Sequence, residues 1–246
     1  MEKQNEQSLT SKLNIKKLLL NIVMVSLIIL VLGFAISFKY AVGYLLILII
    51  HELGHYVAAK FLKVSVTFGG FTPIGAYIIH ENPKNCKENA LIALGGPVFG
   101  AILGLIYYIT YYSTGDYTFL VLTFTSIILN LANLIPVSPL DGGQIVEAIS
   151  PILCYIGFPF LIYLFVSANK LKSRLLLIFI MIAGIYQTYN FTIKYKTDSY
   201  YKLDKHSKVK FTIAYSVLVL SLAISAIYLY NVFDYKDIFK SISRIK

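Results

Sequence analysis

The chain has 246 residues, 57% of them hydrophobic and only 14% charged, with a mean hydropathy of +0.71. Soluble domains carry about 25% charged residues, so this composition excludes a sizeable aqueous domain and places the chain in a membrane. The formal charge of +10 comes from lysines scattered between apolar runs, a pattern that suits anionic lipid headgroups and not nucleic acid.

Charge-free windows run from Leu18 to Phe38, Ala90 to Gly115, Tyr117 to Leu140, Ala148 to Asn169, Leu175 to Ile193 and Phe211 to Phe233. Each is long enough to cross about 30 Å of hydrocarbon as a helix. A further segment, Tyr40 to Phe61, is equally apolar except at its centre, where His51, Glu52 and His55 interrupt it. The first segment, behind Lys12, Lys16 and Lys17, is longer than a signal-peptide core and reads as an uncleaved anchor. With the N-terminus inside and every segment crossing, 14 Lys and Arg lie on the cytoplasmic side against 8 outside. If Ala148 to Asn169 is re-entrant the split is 15 to 7, so six and seven spans both stand. The loop from Leu62 to Asn89 has two β-prone stretches, Val64 to Phe68 and Gly75 to Ile79, with Gly69-Gly70 as a turn signal between them. The expected architecture is therefore an all-α polytopic membrane protein with six to seven transmembrane helices, a three-helix catalytic core and a short membrane-associated β-hairpin. Three regions divide it: 1–39, the N-terminal segment and first helix; 40–146, the core; and 147–246, the C-terminal helices. The two cysteines, Cys86 and Cys154, form no C-x-x-C and indicate neither a disulfide framework nor a thiolate metal site.

His51-Glu52-Leu53-Gly54-His55 is an H-E-x-x-H motif. Residues four apart share one helix face, so both imidazoles can reach one ion while Glu52 stands beside them as a general base. A carboxylate in mid-segment costs about 2.5 to 3.5 kcal/mol on insertion scales, and a neighbouring metal supplies a reason to keep it there. Catalytic zinc usually has three protein ligands. His80 lies in the loop and His206 in the Lys-rich connection, whereas Asp141 is the only ionisable residue from Tyr117 to Val146. It is the candidate third ligand, since two hairpin reversals bring the ends of the second and fourth segments to the same leaflet. At 1.5 Å per residue, His51 and His55 lie roughly 15 and 9 Å from the cytoplasmic end of their segment. Pro136 and Pro139 break the helix before Asp141, so this stretch should be packed against protein or line a wet cavity.

These motifs resemble those of the site-2 protease family of intramembrane metalloproteases. The resemblance rests on His51-Glu52-Leu53-Gly54-His55, on the run from Asn133 to Gly143 and on Gly95-Gly96-Pro97, and covers about Tyr40 to Gly143. It implies zinc held by His51, His55 and Asp141, Glu52 as catalytic base and an auxiliary substrate or transition-state role for Asn133. It also implies a membrane-embedded protein or peptide as substrate. The chain departs from the family pattern in two ways. There is no room for the PDZ domain or the nucleotide-sensing C-terminal domain of some members, and Gly100 stands where many have Asn. Two other readings compete: an intramembrane proton or ion transporter using the same His, Glu and Asp cluster, and a non-catalytic, substrate-binding member of the same fold. The transporter leaves the i, i+4 histidine spacing without a reason, and the intact ligands and Glu52 argue against the non-catalytic member. An excess of Lys over Arg with abundant Ile, Tyr and Asn suggests an AT-rich bacterial genome, so the expected location is a bacterial cytoplasmic membrane, crossed several times.

Overall fold

A computed structural model describes residues 2–72, 75–81 and 83–232. Its elements are α1 (Glu2–Ala35), α2 (Phe38–Phe61), β1 (Val66–Thr72), β2 (Gly75–His80), α3 (Cys86–Thr114), α4 (Tyr117–Asn133), α5 (Asp141–Val146), α6 (Ile152–Ser167), α7 (Leu171–Lys194), a 3₁₀ turn (Ser199–Tyr201) and α8 (Lys205–Val232). The C-terminal end expected at Phe233, and everything after it, lies outside the described residues.

Four of the described helices are long and apolar enough to cross a membrane: Phe38–Phe61, Cys86–Thr114, Ser173–Lys194 and Lys205–Asn231. Three more apolar stretches are shorter, Leu19–Ala35, Tyr117–Asn133 and Ile152–Ser167. The apolar windows of the fourth and fifth segments are thus longer than their helices. Pro136 and Pro139 follow the end of α4, and Pro151 caps the start of α6. The break between α1 and α2 comes at Ser37, whose side chain accepts from the Tyr40 amide, so Phe38 opens the second helix and does not close the first.

The core of the bundle is α2, α3 and α4, with α8 packed on α4. Ile47, Leu122, Leu134 and Ile145 are almost completely buried there, while the outer faces present Leu105, Ile109, Ile224 and many other large apolar side chains. That inversion of a soluble surface is the expected lipid-facing pattern. The tightest seam lies between α2 and α3. A Cβ on Gly54 would strike the Gly95 carbonyl, and one on Gly95 would strike the Gly54 carbonyl. Small residues facing each other let two membrane helices approach backbone to backbone. At the end of the bundle remote from His55, Lys39 pairs with Asp116, the N-cap of α4.

The hairpin forms, but its turn is displaced. The two strands pair antiparallel from Val66↔His80 to Thr72↔Gly75, with residues 73–74 outside the described set. Gly69-Gly70 sits within β1 at a register shift between Phe68 and Gly70, and Gly70 has φ +143°. The pair that signalled a turn is a bulge, a second use of glycine's freedom at positive φ. The outer side of β1 is tied to α1 by a 3.0 Å bond from the Phe71 amide to Asn21 Oδ1.

Because the Gly54/Gly95 seam leaves no room for a methyl group, Gly95→Ala should overpack it and lower stability by about 1–3 kcal/mol. Ile102→Ala, on the exposed face of α3, should stay within about 0.5 kcal/mol of the parent. Thermal denaturation of the two variants in detergent checks both.

Candidate metal centre

Helix α2 carries His51 and His55 one turn apart on its buried face, and the seam with α3 is what leaves them space. A Cβ on Gly96 would collide with the His55 imidazole and come within 2.8 Å of His51 Nε2. Each ring is held from behind. His55 Nδ1 lies 2.8 Å from the Ile92 carbonyl on α3, and His51 Nδ1 lies 2.8 Å from Asn130 Oδ1 on α4. Both partners are oxygens that can only accept, so each Nδ1 carries a proton, and in the neutral ring each Nε2 then offers a lone pair. The Gly96 amide, 3.3 Å from His55 Nδ1, cannot then donate to that nitrogen as well.

Asp141 reaches the same point from the other side of the bundle. After α4 ends, residues 134–140 run irregularly, stitched by short-range bonds such as Val137 N to Ile135 O and Leu140 N to Val137 O. Tyr215 of α8 donates to the Leu134 carbonyl at 2.6 Å, and Val137 is completely buried beside Gly157 and Gly184. Backbone polar groups released by the helix break are thereby satisfied inside protein and not against lipid. Asp141 opens α5 with its carboxylate 3.2 Å from His51 Nε2 through Oδ2 and 3.4 Å from His55 Nε2 through Oδ1; the two Nε2 atoms are 3.2 Å apart.

With both rings neutral, these three contacts have no proton between them. Oδ2 of Asp141 is buried without a hydrogen-bond partner although His51 Nε2 is close, because both imidazole protons are committed to Asn130 and Ile92. Three acceptors therefore face one another in a nearly dry interior, an arrangement that a cation would relieve. Ligands about 2.0–2.1 Å from a tetrahedral zinc stand roughly 3.3–3.4 Å from one another, close to the separations found here. Glu52 also offers an oxygen within 4.8 Å of both imidazoles. Asp141 fits the ligand position better, since its distances match a tetrahedral edge, and Glu52 remains beside the cluster with the Ile78 amide of β2 facing its carboxylate.

A cavity of about 570 Å³ opens onto this cluster, lined by Glu52, by Tyr77 and Ile78 of β2, by Asn133, Leu140 and Gln144, and by Leu176 and Ile180 of α7. Asn133 is half-buried with Nδ2 3.4 Å from His51 Nε2, on the cavity side of the ring. His80 lines the same cavity but is not among the three converging groups, and His206 is exposed at the start of α8. Sequence reasoning passed over Asn130, whose only signal was an amide inside an apolar run.

A family model described as peptidase family M50 matches residues 39–119 and 113–157, which include every residue of the cluster. This match supports the site-2 protease family. Its sequence is 32% identical over 142 residues to a zinc metalloprotease of Methanocaldococcus jannaschii, covering 53% of this chain and 41% of that relative. The chain thus spans less than half the length of the curated relative it matches. A site-2 protease structure from the same organism aligns with a TM-score of 0.45 at 19% identity, covering 69% of this chain and 88% of that one. The family model and the relative bear out the resemblance expected from the motifs.

A second, polar cavity of about 750 Å³ adjoins the first, sharing His80, Pro139 and Gln144, and extends to Lys84, Glu147 and Lys194. Glu147 stands between α5 and α6 and accepts from Asn89 Nδ2 at 3.2 Å. Burial pushes its carboxyl up to about 7, and the Asn89 bond only partly offsets this. The fold therefore favours neutral Glu147, and stability should fall as pH rises from the ordinary carboxylate value through 7. Glu147→Gln should raise the thermal midpoint relative to the parent at pH 8, with the gain shrinking toward pH 5. Paired melting curves at the two pH values test this.

Proposed function

We propose that this protein is an intramembrane zinc metalloprotease that hydrolyses peptide bonds in or beside the membrane-spanning segments of protein or peptide substrates. The observation that carries the reading is the meeting of His51 Nε2, His55 Nε2 and the Asp141 carboxylate oxygens at tetrahedral-edge distances, with the Glu52 carboxylate beside them. Two imidazoles and a carboxylate are a known catalytic donor set, and the M50 match supports the same chemistry. A zinc ion there would act as a Lewis acid, polarising the scissile carbonyl and acidifying a water. Glu52 takes the water proton, and the same group returns it to the leaving nitrogen as the C–N bond breaks. Asn133 presents its amide to the substrate from the cavity side.

A transmembrane substrate must unwind locally, because its carbonyls are engaged in i to i−4 bonds. The β2 strand, which lines the cavity, suits an extended segment that pairs by strand addition. In this reading α2, α3 and α4 form the three-helix catalytic core, the N-terminus is cytoplasmic, and the cut falls near the cytoplasmic end of the substrate's apolar segment. The setting is a cell membrane, bacterial by composition, crossed six or seven times.

Zinc content and proteolysis measured on the same purified variants test the reading. His51→Ala, His55→Ala and Asp141→Ala should each lose zinc. Glu52→Gln should keep zinc and lose cleavage, since the amide cannot accept a proton at neutral pH. Full cleavage by Glu52→Gln, or zinc retained in Asp141→Ala, would remove that residue from its role. Ion flux abolished by Glu52→Gln would favour a transporter instead.

The depth of the site makes a separate expectation. Peptides trapped by Glu52→Gln and cut by the wild type should be cleaved roughly 9–15 Å inside the cytoplasmic boundary. Replacing a Gly or Asn near the cut with Leu should slow the reaction, because Leu favours the helix that must open. Mass-spectrometric mapping of the cut, with rates for such a substrate pair, decides it.

A further inference from the structure

Asn130 lies behind the metal centre, outside the catalytic cavity, and is completely buried. Its amide has a defined direction. Nδ2 donates to the Ser126 carbonyl one turn earlier at 2.7 Å, which leaves Oδ1 as the atom facing His51 Nδ1. An oxygen at that place accepts only, so it selects the Nδ1–H form of His51 and turns the Nε2 lone pair toward His55 and Asp141. The space for this amide comes from α3. A Cβ at position 100 would run into the oxygen, nitrogen and carbon of the Asn130 amide together. At the same level Ser126 Oγ donates to the Gly100 carbonyl at 2.8 Å and ties α4 to α3. One turn farther along α3, a Cβ on Gly104 would meet Ser126 only at an ordinary 3.5 Å. The absence of a side chain is therefore required at 100 and not at 104.

We propose that Asn130 is a positioning residue for the metal centre, holding His51 in its ligating tautomer and orientation, and that Gly100 is the gap in α3 that admits it. The proposal rests on the reading of His51 as a metal ligand. It assigns a role in binding to a pair of residues that touch neither ion nor substrate. An imidazole whose rear nitrogen is fixed by an acceptor is a better ligand than one free to flip, and losing such a partner typically weakens metal binding about 10- to 100-fold.

The test is zinc affinity of detergent-solubilised protein by chelator competition, with the absorption spectrum of the cobalt-loaded form as a second readout of ligand geometry. Asn130→Leu, similar in volume but without an acceptor, should bind zinc about 10- to 100-fold more weakly and alter the cobalt spectrum. Asn130→Asp keeps the acceptor for His51 but loses the donor to the Ser126 carbonyl, so it should bind zinc more tightly than Asn130→Leu. Gly100→Ala should reproduce the Asn130→Leu defect by displacing the amide, while Gly104→Ala should not. Should Asn130→Leu fail to fold, the Gly100→Ala and Gly104→Ala pair carries the test. Parental zinc affinity and cobalt spectrum in Asn130→Leu or Gly100→Ala would overturn the proposal. His51→Ala in the same assay separates the two levels: parental affinity there would sink the metal reading itself, whereas loss there with none in Asn130→Leu sinks only the positioning role.

Discussion

Two imidazoles and a carboxylate held within 3.4 Å of one another are a costly thing to build inside an apolar bundle. Much of the surrounding architecture follows from that cost. The glycines of the α2/α3 seam bring the two backbones together so that the rings are covered by helix and not by lipid. The Ile92 carbonyl and the Asn130 amide take up the rear N–H groups, and in doing so aim every remaining lone pair at one point. A centre assembled in this way is a strong trap for a divalent cation and a poor place for anything else.

The same constraint accounts for the irregular stretch between α4 and α5. A carboxylate on a continuous helix would need a single rotation and depth to suit both histidines. Breaking the helix at Pro136 and Pro139 frees the chain to turn Asp141 inward, at the expense of unpaired backbone groups. Tyr215 from α8 and the close packing of Val137 against Gly157 and Gly184 absorb that expense. The C-terminal helices thus support the site structurally, although the matched family region ends at residue 157.

Water and substrate must both reach a centre surrounded by apolar side chains. The first cavity joins the cluster to β2, and the second continues it through Gln144 to Glu147, Lys84 and Lys194, where the lining turns polar. The hairpin is well placed between these demands. One of its strands is fastened to α1 through Asn21, and the other lines the catalytic cavity with the Ile78 amide toward Glu52. A strand so fixed holds one wall of the cavity in place beside Glu52.

Much of this was legible in the chain itself. Uninterrupted apolar windows identify membrane helices because lipid accepts no unpaired backbone, and an i, i+4 pair of histidines with an adjacent glutamate places three groups on known faces of one helix. Asp141 could be singled out because an isolated carboxylate in an apolar stretch needs a partner. What pattern alone left open were the properties set by contacts between elements distant in sequence. Gly69-Gly70 has the composition of a turn and becomes a bulge, since the cross-strand register decides which glycine conformation is used. The short α6 shows that an apolar window limits a helix without fixing its ends, which proline and packing determine. Asn130 was invisible as a functional residue, because nothing local distinguishes an amide that faces His51 across 79 positions of sequence from one that faces its own helix. The chain determined which groups could do the chemistry. Tertiary structure alone decided which atoms face each other and which protons they keep, because those depend on distances of a few tenths of an ångström between different helices.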